Sequence, residues 1–122
     1  MTTYRYLATS ELPSIPLRWT NNDGTAIDLS SVTWSLKLVN ASGTTVLTKS
    51  TNITGYASFQ GTTPNDYNVL IAWASGDLAT SGVAGGTFKA RNGTFVLQYT
   101  SGSNQSEPFD GDLTIKVEAA PS

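Results

Sequence analysis

The sequence predicts an all-β protein, an antiparallel β-sandwich of about seven to nine strands. Three observations carry the prediction. Apolar residues recur at every second position in several short runs, as strands require when one face is buried and the other wet. Turn residues (Asp23–Gly24, Ser42–Gly43, Gly55, Gly61 to Pro64, Gly76, Gly85–Gly86, Asn92–Gly93, Gly102 and Gly111) punctuate the runs, most of them about 8–12 residues apart. No window carries the 3.6-residue stripe of a helix.

Taken in order, the first fourteen residues stand apart. Tyr4, Tyr6, Leu7 and Leu12 precede the first clear strand, and Pro13 and Pro16 interrupt any simple continuation into it. Residues 1–14 are expected to be an N-terminal arm or an edge strand, residues 15–119 the sandwich, and 120–122 a tail. An arm lying on a neighbouring subunit would use its tyrosines as anchors.

Ile15, Leu17 and Trp19 alternate with Pro16 and Arg18, and then Asn21 to Gly24 turn the chain. Val32, Trp34, Leu36 and Leu38 form the cleanest alternating run. A long connection at 50–68 reads as a flap or an extra hairpin, and its Tyr56, Phe59 and Tyr67 are candidates for a contact surface. The run 68–74, NVLIAWA, is apolar on both faces and suits a central strand. Residues 75–82 offer one helical turn at most, with Ser75 or Asp77 as its cap. A strand through Phe88, one at 95–99 and one at 113–117 complete the set. Trp19, Trp34, Trp73, Phe95 and Tyr99 fall in phase with the buried faces.

Composition narrows the functional classes. The 122 residues suit one domain with a modest core. There is no cysteine, so packing alone must hold the sandwich, and no histidine, which removes nucleophile–His–carboxylate chemistry. The net charge is −2, and the seven basic residues are scattered along the chain with only Lys89 and Arg91 close together. That argues against a nucleic-acid backbone as partner. The opening MTTYRYLATSELPSIP has no basic segment followed by an apolar one, so no secretory signal is expected. No apolar run is long enough to span a membrane.

Three motifs invite chemistry, and each has a structural alternative. Asn21, Asp23 and Asp28 around Gly24 offer oxygens to a hard cation, but an EF-hand-like loop would put Trp19 and Ser30 at its terminal ligand positions. A hairpin tip, with Asp28 capping the next bend, is the expected reading. Glu107, Asp110 and Asp112 contain a carboxylate pair, but in a turn region and without the cleft that glycosidase chemistry needs. Four Asn-x-Ser/Thr sequons begin at Asn40, Asn52, Asn92 and Asn104, and without a secretory signal they read as turn residues. No cofactor, metal site or enzymatic activity is expected.

The order of motifs carries further. IPLRWTNNDGTAIDLSSVTWSLKLVNASGTTV is followed by VLIAWASGDLATSGVAGGTFKARNGT and then DGDLTIKVE. This series, over about residues 13 to 119, resembles the immunoglobulin-like N-terminal domain of tailed-phage baseplate upper proteins and their small standalone relatives among phage structural proteins. The matching features are the strand ending at Trp19, Asp23–Gly24, the Ile27–Ser30 bend, the Val32–Leu38 strand, Trp73 with Asp77–Leu78, Asn92–Gly93 and the Leu113–Val117 strand. Asn92–Gly93 stands where Asp–Gly is more usual, and the 50–68 segment is longer than the family pattern. The resemblance implies an immunoglobulin-like sandwich and a non-enzymatic structural protein of a tailed-phage virion, a minor tail or baseplate component. It implies docking on other virion proteins and homo-oligomerisation in the particle. The alternatives left open are a capsid decoration protein, resting on the major capsid protein, and a carbohydrate-binding module that would use exposed rings of the 50–68 region.

Overall fold

The computed structural model describes residues 2–11, 13–63 and 65–118. Ten strands run in chain order: β1 (Thr2–Leu7), β2 (Ile15–Leu17), β3 (Thr33–Val39), β4 (Thr45–Lys49), β5 (Ile53–Gln60), β6 (Tyr67–Ile71), β7 (Thr87–Lys89), β8 (Phe95–Ser101), β9 (Asn104–Gln105) and β10 (Leu113–Glu118). They form three open sheets ordered β1-β10-β7, β2-β6-β5 and β4-β3-β8-β9, giving the all-β, sandwich-like architecture that the alternation predicts. The only helical segments among the described residues are two single 3-10 turns, Asp77–Ala79 and Ala90–Asn92. The last strand closes on Glu118, and the expected tail at 120–122 lies outside the described residues.

Alternation translates directly into packing. In β3, Trp34, Leu36 and Leu38 are buried while Thr33 and Lys37 are exposed. Their partners across the ladder with β8 are Tyr99, Leu97 and Phe95, so one face of this pair is a continuous apolar surface. Ile15 and Leu17 of β2 oppose Ile71 and Val69 of β6 in the same way. Phe88 opposite Ile115, with Val117, brings in the third sheet, and all these side chains join one buried cluster. Each fully buried Leu, Ile, Val or Phe contributes about 1.5–3 kcal/mol relative to exposure.

The structure selects among some sequence-based expectations and changes others. Residues 2–7 take the edge-strand alternative rather than the arm, and β1 runs parallel to β10, with Thr2 opposite Leu113 and Leu7 opposite Glu118. Side-chain alternation is the same in parallel and antiparallel strands, so the sequence pattern could not reveal this one parallel pair. The 15–19 run is a strand only as far as Leu17, with exposed Pro16 tolerated because β2 is a sheet edge. The apolar 68–74 run stops as a strand at Ile71, leaving Trp73 buried in the bend beyond it. The long 50–68 connection is the β5–β6 hairpin itself, with a register shift between Gly55 and Gln60. Asn92–Gly93 does turn the chain, at the end of a 3-10 turn that closes with Gly93 at φ 76°.

Candidate functional site

Backbone geometry leaves β1 an open edge for contact with another chain. Ala8 N donates to Glu118 O at 2.9 Å, so the even-numbered residues of this strand direct their backbone groups at β10. Thr3 and Arg5 then turn their N–H and C=O groups the other way, where no described strand pairs with them. Leu7 C=O is taken by Ser10 N at 2.9 Å, which ends the strand in a turn. An unpaired edge of this kind accepts an added strand from a partner.

The seven side chains expected at an interface divide sharply. Leu7 is 44% exposed, the one large hydrophobic side chain at the surface among the described residues. Tyr4 is half-buried against the core, and burial raises its phenol pKa. Tyr6 corrects the expectation. It is 3% exposed, its ring meets Trp73 edge-on at 5.9 Å, and its hydroxyl donates to Pro13 O at 2.7 Å. Tyr6 is a core residue that clamps the turn after β1, and no partner can reach its ring. The signal was present in TYRYLA, where Tyr4, Tyr6 and Ala8 share one strand face. Leu12 lies outside the described residues.

The hairpin candidates are gathered but already engaged. Tyr56 and Tyr67 form an edge-on pair at 6.0 Å. The Arg18 guanidinium lies 4.2 Å over the Phe59 ring, and its Nε is 3.2 Å from Asp66 Oδ1. That approach is close enough for an ion pair, although no aligned hydrogen bond reaches this buried oxygen. Arg18 thus covers one face of the ring that a sugar would need for stacking. Trp19, Trp34, Tyr99 and Phe109 likewise pack on one another at 5.0–6.1 Å.

The polar motifs are turn chemistry. Asp23 Oδ1 accepts from Thr25 N at 3.1 Å and from the Thr25 hydroxyl at 2.6 Å, inside a hairpin closed by the Thr20–Ala26 bridge. Asp28 binds Ser30 in the same way, at 3.0 and 2.6 Å. The Thr25 and Ser30 hydroxyls, followed by the backbone amides, hold both carboxyl groups below their ordinary range. Two sequons share this geometry: Asn40 Oδ1 accepts from Ser42, and Asn92 Oδ1 from the Thr94 hydroxyl. The requirement for Ser or Thr two residues on is that of a short polar turn. Asn52 is the one described non-glycine residue at positive φ, 62°, a region asparagine tolerates. Glu107 and Asp110 are exposed in the 106–112 loop, and among the described residues no three acidic side chains are grouped to hold a metal ion.

Two buried polar residues went unseen in the sequence. Asn68, fully buried in β6, accepts from Trp19 N at 2.7 Å and donates to Trp19 O at 2.8 Å and Ile27 O at 3.1 Å. It replaces the strand ladder where β2 gives way to the 20–26 hairpin. Lys49, at the end of β4, donates to Asp77 Oδ2 at 2.9 Å and Ala72 O at 2.7 Å, with its ammonium 5.0 Å over Trp73. Asp77 Oδ2 also accepts from Ala74 N at 2.8 Å, which explains the WASGDL motif as a structural clasp. A single Asn or Lys in an apolar strand carries no local sign of a long-range partner. No family model matches this chain, and comparisons with curated proteins and with solved structures give no match.

Proposed function

We propose that this chain is a non-enzymatic structural protein of a tailed-phage virion, a minor tail or baseplate component that docks on other virion proteins. The order of motifs along the chain supports the phage reading. The observation that carries the docking role is the β1 edge, where Thr3 and Arg5 present backbone groups that no described strand pairs, beside exposed Leu7. The same edge strand is anchored by Tyr6 and by its full-length ladder with β10, so it offers a rigid template whose ordering cost is already met within the fold.

The test has two parts. Virions separated into heads and tails are probed for the protein, which is expected with the tails. Recovery with the heads supports the capsid-decoration alternative, and absence from both fractions defeats the virion reading. Thr3→Pro then removes one outward N–H while leaving the groups that face β10, because proline is tolerated on the open side of an edge strand. The variant is expected to fold and to be lost from the particle. Undiminished incorporation would rule out the β1 edge as the docking element.

A further inference from the structure

The cations that look scattered along the chain are brought together on one sheet. In the β1-β10-β7 sheet Arg5 lies directly opposite Lys116, and Thr87 flanks Lys116 on the other side. One step along, Thr114 lies between Thr3 and Lys89. Since neighbours in register share a face, Arg5, Lys116 and Lys89 stand on the outer surface of this sheet, and all three are exposed. Glu118, opposite Leu7, is the carboxylate in the same row. Setting these four aside leaves four cations against eight carboxylates, so the face carries +2 and the rest of the chain −4. Of those four remaining cations, Lys49 and Arg18 are paired with Asp77 and Asp66.

The complementary surface lies on the same molecule. Asp23, in the 20–26 hairpin, and Glu107 and Asp110, in the 106–112 loop, are exposed. The bases of the two loops are neighbours, since the ring of Trp19, just ahead of the hairpin, lies 5.4 Å from that of Phe109 in the loop. We propose that the outer face of the β1-β10-β7 sheet binds the acidic loop pair of a second copy of this chain. The contact joins unlike surfaces, so repetition builds a ring or an open row of subunits. The proposal deepens the assembly reading by naming a second copy as one docking partner, and its charge pairing makes the contact sensitive to salt.

Sedimentation velocity tests it on the intact chain. Raising salt from about 0.02 M to about 0.5 M shortens the screening length from roughly 20 Å to about 4 Å. Self-association at low salt is expected, with a dissociation constant that rises at least about tenfold at high salt. The variant Arg5→Glu/Lys116→Glu and the variant Glu107→Lys/Asp110→Lys are each expected to be monomeric. Mixed together they are expected to associate again, because each then offers the charge that the other lacks. Recovery on mixing also shows that both variants are folded. A wild-type chain that stays monomeric at low salt, association indifferent to salt, or variants that do not recover on mixing would overturn the proposal. Preferential binding of an unrelated acidic protein with no self-association would overturn it as well. A monomer that is still found in virion tails defeats self-docking alone, whereas a self-associating protein absent from virions defeats only the assembly reading.

Discussion

Asn68 does at one position what a strand ladder does over several. Its amide satisfies both backbone groups of Trp19 and the carbonyl of Ile27, all part-buried. Asn68→Ala strips three backbone groups of their partner, and each unsatisfied buried group costs about 1–3 kcal/mol. A loss of about 3 kcal/mol in stability is expected, read from urea denaturation. Tyr6 makes the second residue-scale case. Burial, the largest cause, pushes its phenol from 10.0 up to about 12, with the nearby Tyr4 adding to the shift and Trp73 opposing it. The fold therefore favours the neutral phenol. That contribution is complete below pH 10 and is lost as pH climbs from 10 towards 12. Absorbance titration is expected to show Tyr6 ionising last, with Tyr4 also above its ordinary range, and stability falling over the same window. Tyr6→Phe should remove the last step of the titration and cost about 1 kcal/mol through the lost bond to Pro13.

At the level of elements, Gly55 decides how the bend after Asp28 meets β5. Leu29 N donates to Tyr56 O at 3.1 Å, and a Cβ at position 55 would run into the Leu29 carbonyl and side chain. Gly55→Ala must push the bend away from the strand, and Leu29, 1% exposed, would lose its place in the core. The expected cost is about 2–3 kcal/mol by thermal or urea unfolding, as for other overpacked sites. The Asx turns act locally by contrast. Asp23 and Asp28 are held deprotonated by hydroxyl and amide donors, so their turns are intact above the ordinary carboxylate pKa and loosen as pH falls through the lowered values. The Thr25 and Ser30 amide resonances are expected to follow that acid transition, and Asp23→Asn should abolish it at Thr25 alone.

Across the molecule, the Lys49–Asp77 pair ties the edge of the β4-β3-β8-β9 sheet to the turn that follows β6 of the β2-β6-β5 sheet. Breaking one side leaves a charge in a poorly solvated site, because the Lys49 side chain is only 5% exposed. Asp77→Ala is expected to cost about 3 kcal/mol, and Lys49→Met added to it should recover part of that loss, since the stranded ammonium is then gone. A double-mutant cycle by urea denaturation reads the coupling. An additive cycle would show that the clasp contributes no interaction of its own. The β1–β10 pairing works at the same scale, joining the first and last described strands from Thr2 opposite Leu113 to Leu7 opposite Glu118.

Local sequence was enough to establish the all-β class, the phase of the buried positions in β3, β8 and β10, and most turns. These depend on period-two alternation and on glycine, asparagine and aspartate acting within a few residues of chain. Trp34, Leu36, Leu38, Leu97 and Ile115 were legible as core for that reason. The folded arrangement was needed to learn that β1 lies parallel to β10, that Asn68 and Lys49 have distant partners, and that Arg5, Lys89 and Lys116 share a face. Pairing register sets each of these, and register joins residues that local sequence patterns keep far apart.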